Sequence, residues 1–396
     1  MISKNVSRVH PSVTLSVTAR AKAMKAEGID VIAMSAGEPD FRTPEHICAA
    51  GIKAIQEGFT RYTPASGIIE LKRAVCEKFR SDNGLDYSTS QVIINNGAKH
   101  SVFLVIFALI NPGDEVVIPA PYWVSYPDMV ILARGVPVII DGKPENDLKI
   151  TPDQLKKAIT PRTKIIVLNS PSNPTGMIYS EEELRALARV ISDTGIYVLS
   201  DEIYEKLIYD GARHVSIASF SEDLYARTVT VNGVSKTYSM TGWRIGYAAG
   251  PEPIISAMET IQSQETSNPC SISQKAALAA LTGPQDFLTS WVSEFSERRL
   301  YMVERLNAME GVSCITPKGA FYVFPDVSAH YGKRFNGKPI NGSVDLCDYL
   351  LAERHVAFVP GAGFGADAFV RISYAASMND IEKALNRLEE GLKKLE

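Results

Sequence analysis

Short apolar runs alternate with longer mixed stretches between about residues 90 and 250 of the chain. The runs are rich in valine and isoleucine, a pattern typical of strands that are buried on both faces of a sheet. The predicted strands are Val92–Asn95, Glu115–Pro119, Pro137–Ile140, Lys164–Asn169, Ile196–Ser200, Thr228–Asn232 and Ile245–Gly250. The helices predicted between them are Ala98–Ile110, Ser125–Ala133 and Glu181–Asp193. This rhythm predicts an α/β fold with a large, mostly parallel seven-stranded sheet and helices on both of its faces.

The pattern changes after about residue 250, where long helical stretches precede short strands. Helices are predicted at Glu252–Gln264, Ser271–Leu281, Gln285–Met309, Val344–Glu353 and Asn379–Lys394, and strands at Gly311–Ile315, Ala320–Pro325, Val356–Val359 and Val370–Tyr374. The start of the chain adds a helix, Thr14–Glu27, and a strand, Val31–Met34. We therefore predict an N-terminal segment (1–40) that packs with a smaller α+β domain (291–396), and a large domain between them (41–290).

The composition is that of a globular protein: 396 residues, 45% hydrophobic and 22% charged, with a formal net charge of −4. No dense block of lysine and arginine indicates nucleic-acid binding. The longest apolar run, Val102–Ile110, is too short for a membrane span, which needs about 20 residues. The N-terminal sequence MISKNVSRVHPS lacks the apolar core of a signal peptide, so we expect a cytoplasmic protein without a membrane partner.

The five cysteines are scattered along the chain and form no CxxC or Cys/His cluster. Such a set predicts reduced thiols, some of them core residues, with neither disulfides nor a metal site. They are Cys48, Cys76, Cys270, Cys314 and Cys347.

Three polar residues follow predicted strands of the large sheet. Lys236 lies in a small-residue turn after Thr228–Asn232, and Arg244 follows eight positions later. Asn173 lies in the turn of LNSPSNPTG, and Asp201 ends the apolar run of VLSDEIY. Taken singly, these are a solvated lysine, an ordinary loop and a helix N-cap. Ligands of open α/β sheets, however, bind at the carboxyl ends of the strands, where all three residues would meet.

One chemistry uses these residue types together. A lysine amine condenses with an aldehyde to form an imine, and a buried carboxylate keeps a ring nitrogen protonated, so that the ring becomes an electron sink. An asparagine amide and a tyrosine hydroxyl, such as those of Asn173 and Tyr204, would hydrogen-bond the ring oxygen.

The motifs SPSNPTG, SDEIY and SKTYSMTGWRIGY resemble the class I aminotransferases of pyridoxal-phosphate fold type I. The resemblance spans nearly the whole chain, from SAGEPDF and RYTPASG to GAFYVFP and VRISYA, and is nearest to bacterial and archaeal aspartate aminotransferases. It implies that pyridoxal 5'-phosphate binds the large domain. Lys236 would be the Schiff-base and proton-transfer residue, and Asp201 would face the pyridinium nitrogen. Asn173 and Tyr204 would contact the ring hydroxyl, with a cis peptide before Pro174.

The cofactor phosphate needs hydrogen-bond donors and positive charge. The segment Asn96-Gly97-Ala98-Lys99 leads from a strand into a helix, so the backbone N–H groups of Ala98 and Lys99 would point at one spot, although an ordinary strand–helix turn looks the same. The resemblance implies that Arg244 supplies charge and Ser235 a hydroxyl. It also implies that Tyr62 reaches the phosphate of the other subunit, and hence a homodimer with shared active sites. Trp123 would stack on the ring, or be a core residue.

The substrate carboxylates would contact three further residues. Arg371 lies inside an apolar strand, where it serves either a structural salt bridge or, as the resemblance implies, the α-carboxylate of the substrate. Gly37 would close over the substrate through its backbone. Lys99, in the GAK motif, resembles the lysine with which one branch of aspartate aminotransferases binds a distal carboxylate; some relatives also accept prephenate.

The resemblance thus implies ping-pong transamination of aspartate and 2-oxoglutarate to oxaloacetate and glutamate. Lys236 must be neutral for this, so we expect burial and nearby Arg244 to lower its pKa. The nearest alternatives are an aspartate/prephenate, aromatic or alanine aminotransferase and a lyase of the same fold. A non-catalytic ligand sensor is an alternative from another class, and it would need a DNA-binding extension.

Overall fold

The computed structural model describes residues 6–396. Helices α1 to α13 are Val13–Ala26, Glu45–Gln56, Ile69–Asn83, Ala98–Leu109, Ser125–Leu132, Pro152–Ala158, Glu181–Ser192, Glu222–Tyr225, Glu252–Glu265, Ser271–Thr282, Phe287–Asn307, Ser343–Arg354 and Met378–Lys393. Strands β1 to β14 are Ile32–Ala33, Val92–Asn95, Glu115–Ala120, Val136–Asp141, Thr163–Asn169, Tyr197–Asp201, Thr228–Gly233, Gly246–Ala249, Tyr322–Val323, Arg334–Phe335, Lys338–Pro339, Val356–Ala357, Val359–Pro360 and Val370–Ser373.

A seven-stranded sheet with the order β2-β8-β7-β6-β5-β3-β4 forms the centre of the molecule. All neighbours are parallel except β8, which is antiparallel to both β2 and β7. All seven strands predicted for this region are present, with ends within one residue of the prediction. The predicted α/β fold with a mostly parallel sheet is therefore confirmed.

Both faces of this sheet are covered because its strands are apolar on both sides. In β5, Ile165 and Val167 pack beneath α4, α5 and α9, whereas Ile166 and Leu168 pack beneath α6 and α7. A third cluster joins α2, α3 and α10 to β2 and β8 at one end of the sheet. The carboxyl ends of the parallel strands are left free to carry a site.

The C-terminal part builds a separate antiparallel sheet with the order β13-β14-β9, packed against α11, α12 and α13. Strand β1 pairs in parallel with β12, through Ile32 with Val356 and Ala33 with Ala357, so the start of the described chain is joined to this part. The predicted domain boundaries stay predictions, and residues 1–5 of the predicted N-terminal segment lie outside the described residues.

Two strand predictions were wrong. Gly311–Ile315 contains one isolated bridge, from Ser313 to Asp326, because the side chain of Asn307 occupies both backbone hydrogen-bonding groups of Cys314. The predicted strand Val356–Val359 is divided between two sheets: β12 pairs with β1, and β13 pairs with β14. Helices α2, α3, α6 and α8 and the hairpin of β10 and β11 were not predicted.

Two further predictions concern the cysteines, expected to be reduced thiols, and the expected lack of a membrane span. All five cysteines are free, and Cys76, Cys314 and Cys347 are buried. Within residues 6–396 no helix combines the length and the apolar character needed to cross a bilayer.

Candidate active site

Three neighbouring strands end at one edge of the large sheet. Asn169 at the end of β5 is the register partner of Asp201 at the end of β6, and Asp201 is the partner of Val231 in β7. Strand β7 ends at Gly233, and Lys236 lies in the turn that follows. No helix begins after Asp201, because residues 203–206 form a turn, so the interpretation of Asp201 as a helix N-cap is wrong.

A cavity of about 650 Å³ opens at this edge. Eleven of the twelve residues predicted for the site line it: Gly37, Ala98, Lys99, Trp123, Asn173, Asp201, Tyr204, Ser235, Lys236, Arg244 and Arg371. The twelfth, Tyr62, lies outside the cavity with 91% of its surface exposed. The chain thus brings together side chains from the N-terminal segment, the large sheet and β14.

The amine of Lys236 lies inside the cavity. Its Nζ donates a hydrogen bond of 2.5 Å to the backbone oxygen of Gly37 and lies 5.9 Å from the centre of the Tyr204 ring. Burial, followed by the positive charge of Arg371, lowers the pKa of Lys236 to about 8. The predicted direction is confirmed, although Arg371 contributes more than Arg244. Such a lysine loses its proton far more readily than a solvated one.

The carboxylate of Asp201 is buried at the inner end of the cavity. Its Oδ2 accepts a hydrogen bond of 2.6 Å from the hydroxyl of Tyr126, and its Oδ1 accepts one of 3.3 Å from the Ile203 N–H. Burial raises the pKa of Asp201 to about 6, and the hydrogen bond from Tyr126 opposes that rise. Sequence reasoning missed Tyr126; the available signal was its position at the start of α5, just after the carboxyl end of β3.

Arg371 is 2% exposed, yet it has no carboxylate within ion-pair distance among residues 6–396. Its Nη1 donates to Asn173 Oδ1 at 3.0 Å and its Nη2 to the Ser35 oxygen at 2.8 Å. Its buried Nε has no hydrogen-bond partner in the described part of the chain. The alternative role of Arg371 in a structural salt bridge is therefore wrong for residues 6–396. The guanidinium remains able to bind an anion.

Tyr322 was also missed, although GAFYVFP had been singled out as a motif. Its hydroxyl lies 2.9 Å from that of Tyr204, and the guanidinium of Arg371 lies 4.5 Å from the centre of its ring. A Cβ on Gly37 would lie 3.3 Å from the Tyr322 hydroxyl, so a residue without a side chain allows this close approach.

The start of α4 forms a second polar region of the cavity. The helix begins at Ala98, as predicted, and no side chain caps it, so its first N–H groups remain available. Arg244 lies over the preceding turn and donates to the oxygens of Thr241 at 2.7 Å and Asn96 at 3.2 Å. A Cβ on Gly97, whose φ is +86°, would lie 2.2 Å from Arg244 Nη2, so this turn requires glycine. The region suits an anion such as a phosphate.

Lys99 and Trp123 lie together on the wall of the cavity. The Nζ of Lys99 is 5.0 Å from the centre of the Trp123 ring, a cation–π distance. Burial, and then the charge of Arg244, lower the pKa of Lys99.

The cavity as a whole is cationic. Among the residues that line it, Lys22, Lys99, Lys236, Arg244 and Arg371 carry positive charge, against Glu38 and Asp201. Five cationic groups against two acids favour a ligand with several negative charges.

The peptide before Pro174 is cis, as predicted.

Comparison with known proteins agrees with this geometry. The family model described as aminotransferase class I and II matches residues 29–388. The chain is 52% identical over 391 residues to an aspartate aminotransferase of Geobacillus stearothermophilus, with 98% of each chain covered. It is 48% identical over 390 residues to an aspartate/prephenate aminotransferase of Nitrosomonas europaea, again with 98% of each covered.

Solved structures are similar over the same length. The aspartate aminotransferase of Rhizobium meliloti superposes with a TM-score of 0.96 at 46% identity and 100% coverage of both chains. That of Thermus thermophilus with maleate superposes with a TM-score of 0.93 at 42% identity and 99% coverage of both.

Proposed function

This chain belongs to the aminotransferase class I and II family, and from that premise we propose that it transfers the amino group of aspartate to 2-oxoglutarate, forming oxaloacetate and glutamate. One observation carries the proposal: a lysine of lowered pKa, a buried carboxylate and a buried arginine that has no acidic partner among residues 6–396 line one cationic cavity. Aminotransferases exchange an amino group between amino and keto acids, and the relatives named above are similar over their full length.

The residues of the cavity fit pyridoxal 5'-phosphate, the cofactor of this family. The uncapped start of α4 and Arg244 provide donors for its phosphate, with Ser235 nearby. Asp201, held by Tyr126, provides a carboxylate for the ring nitrogen. The remaining contacts would come from the Asn173 amide and the Tyr204 hydroxyl to the ring oxygen, from Trp123 to the ring face, and from the partner subunit's Tyr62 to the phosphate. When bound, the cofactor supplies an aldehyde that bonds to amines and a ring that withdraws electrons from the substrate Cα.

The chain's own groups divide the remaining work. At pH 7 a carboxyl with a pKa of about 6 is mostly ionised, so Asp201 offers a negative charge to the ring nitrogen. The Nζ of Lys236, once neutral, has a lone pair that takes the proton from the substrate Cα, and the Gly37 oxygen orients it. Arg371 holds the α-carboxylate through its planar pair of donors and so fixes Cα near that amine.

The preference for aspartate rests on Lys99. A four-carbon dicarboxylate has a second carboxylate to place, and Lys99, beside Trp123, is a second cation on the wall of the cavity that Arg371 lines. The similar structure from Thermus thermophilus was solved with maleate, also a four-carbon dicarboxylate, which supports a ligand of this class. An alanine or phenylalanine substrate would leave Lys99 without an anionic partner.

A second candidate is transamination of prephenate as well as aspartate. Relatives named aspartate/prephenate aminotransferases are nearly as similar to this chain as the aspartate aminotransferases are, and the ring carboxylate of prephenate could use the same lysine. Formation of the amino product from prephenate with aspartate as donor would establish this second acceptor.

Borohydride reduction of the loaded protein, followed by peptide mapping, tests the central assignment. We expect a pyridoxyl adduct on Lys236 and none in Lys236→Ala. Single half-reactions with aspartate, glutamate, alanine and phenylalanine then establish the donor. Two half-reactions that share one enzyme form require parallel lines in double-reciprocal plots, and intersecting lines would contradict the scheme.

A further inference from the structure

The segment 59–68, which carries the exposed Tyr62, is neither helix nor strand, yet it is firmly anchored. Ser271 donates a hydrogen bond of 3.0 Å to the Phe59 oxygen at one end of the segment. Near the other end, the Ile94 N–H donates to the Ser66 oxygen at 2.9 Å. Two glutamines complete the anchoring, and neither has a place in the mechanism above.

Gln274 of α10 is fully buried and contacts this segment at two residues, Thr63 and Ile68. Its Oε1 accepts from the Ile68 N–H at 2.8 Å, and its Nε2 donates to Thr63 Oγ1 at 3.0 Å. Its second Nε2 proton is used by the Pro269 oxygen at 2.8 Å. The contact to Thr63 fixes the residue next to Tyr62.

Gln262 of α9 is also fully buried, and it contacts two different parts of the site. Its Nε2 donates to the Ala65 oxygen of the segment at 2.6 Å and to the Ile94 oxygen at 2.9 Å. Its Oε1 accepts from Asn95 Nδ2 at 2.8 Å. Asn95 is the last residue of β2 before the turn into α4, and its Oδ1 accepts from Ser101 of that helix at 2.7 Å. One side chain thus joins the Tyr62 segment to the anion-binding turn of its own subunit.

We propose that Gln262 and Gln274 are positioning residues of the phosphate sites in a dimer. Gln274 holds Tyr62 for the phosphate bound by the partner subunit, and Gln262 holds both Tyr62 and the Asn95–Ala98 turn of its own subunit. This inference rests on the proposed function, in particular on the shared active sites. A purely structural role, in which the amides only satisfy buried backbone groups, would affect both active sites of a dimer alike.

Mixed dimers distinguish these roles for Gln274. A dimer with Lys236→Ala in one subunit retains a single lysine-bearing site, and the Tyr62 that reaches this site comes from the Lys236→Ala subunit. Gln274→Ala is placed either in the Lys236→Ala subunit or in the lysine-bearing subunit, so both dimers carry the same substitutions and the same cost in folding. The readout is the concentration of pyridoxal phosphate that half-saturates the covalent absorbance band of the single site.

We expect Gln274→Ala to weaken cofactor binding about fivefold or more when it lies in the Lys236→Ala subunit, and to leave binding unchanged when it lies in the lysine-bearing subunit. Gln262→Ala is expected to weaken binding in both arrangements, because it contacts both the segment and the turn, and a loss in only one arrangement would contradict that double role. Tyr62→Phe serves as the reference and should match the one-sided pattern of Gln274→Ala. If Gln274→Ala prevents folding, Thr63→Val removes the same contact from the segment and should give a smaller effect with the same one-sidedness.

Equal effects of Gln274→Ala in the two arrangements, or none in either, would overturn the inference. If the lysine-bearing site binds the cofactor but Tyr62→Phe changes nothing in either arrangement, the inference fails while Lys236 keeps its assignment. If the unmodified chain forms no covalent band at all, the proposed function fails first.

Discussion

Replacing Tyr126 by phenylalanine removes one hydroxyl from the inner end of the active site and keeps the aromatic ring that packs there. The hydroxyl donates to Asp201 Oδ2 at 2.6 Å. A hydrogen bond donated to a carboxylate stabilises its ionised form, so losing it raises the pKa of the carboxyl. Because burial already raises the pKa of Asp201 to about 6, a further rise brings its titration into the neutral range.

The size of the effect follows from the contacts of Asp201. A hydrogen bond to a charged group contributes about 1.5–3 kcal/mol. At 1.36 kcal/mol for each pH unit, its loss moves the titration of Asp201 upward by about one to two pH units. The weaker contact from the Ile203 N–H, at 3.3 Å, remains in the variant. At pH 7 roughly nine-tenths of the wild-type carboxyl is ionised, but only about half or less of it in Tyr126→Phe.

The assay is the affinity of the apoenzyme for pyridoxal phosphate as a function of pH. An ionised carboxylate is needed opposite the ring nitrogen, so affinity falls as pH drops through the pKa of Asp201. We expect this acidic limb to lie about one to two pH units higher in Tyr126→Phe. Tyr179→Phe is the matched control, because Tyr179 is also buried but its hydroxyl accepts from the Ile150 N–H. An unmoved limb in Tyr126→Phe, or an equal movement in both variants, refutes the reasoning.

Four further predictions concern the buried arginine, two lysines and a buried carboxylate. Arg371→Lys keeps the charge but loses the planar pair of donors, so kcat/KM for amino acids should fall by a factor that corresponds to about 2–5 kcal/mol of lost transition-state stabilisation. Cofactor uptake should stay unchanged, and lost uptake would contradict a role in substrate binding. Lys99→Ala should lower kcat/KM for aspartate more than for alanine, and equal losses in steady-state assays would exclude Lys99 from substrate selection. Lys78→Ala removes the nearer of the two basic groups beside the buried carboxylate of Glu205, the other being His214, so urea unfolding should show a loss of about 3–5 kcal/mol. The exposed Lys53→Ala should change stability by less than about 0.5 kcal/mol. Against the opposing effect of burial, Lys78 lowers the pKa of Glu205 to about 2. The contribution of this carboxylate to stability is therefore fully present above its ordinary pKa, and it should be lost as the pH falls from there to about 2.

The large sheet could be predicted because its strands are apolar on both faces, a property visible in any run of neighbouring residues. Helix α2 could not be predicted in the same way, because two of its large apolar residues lie on the face that is exposed. Ile52 and Ile55 are each 56% exposed, while Gly51 and Ala54 are buried. Gly51 is buried against the Trp243 ring, which lies 2.8 Å from where a Cβ would be. Burial in this helix depends on a tertiary contact that no local pattern records.

The same limit divides the site residues into two groups. Lys236 and Asp201 follow apolar strands, and strand ends in a parallel sheet meet at one edge, so topology alone predicts that they are close together. Tyr126 and Tyr322 are two of sixteen tyrosines; a place after a strand end or within GAFYVFP marks them as candidates but does not show which side chain each one contacts. Their positions depend on contacts to Asp201 and Tyr204 across 75 and 118 residues of chain.

Arg371 shows how the electrostatics of the cavity connect substrate binding to the state of the lysine. Its buried guanidinium is supported by two hydrogen bonds and by the rings of Tyr322 and Phe364, none of which neutralises its charge. That uncompensated charge is the largest electrostatic contribution that lowers the pKa of Lys236. A carboxylate bound to Arg371 cancels this influence, so the amine becomes more basic when a substrate is present. An acidic partner from within the chain would have abolished this dependence by neutralising Arg371 permanently, and it would also have blocked the site. Because no acidic group of the described chain pairs with Arg371, its guanidinium can bind a carboxylate, and that binding changes the basicity of Lys236.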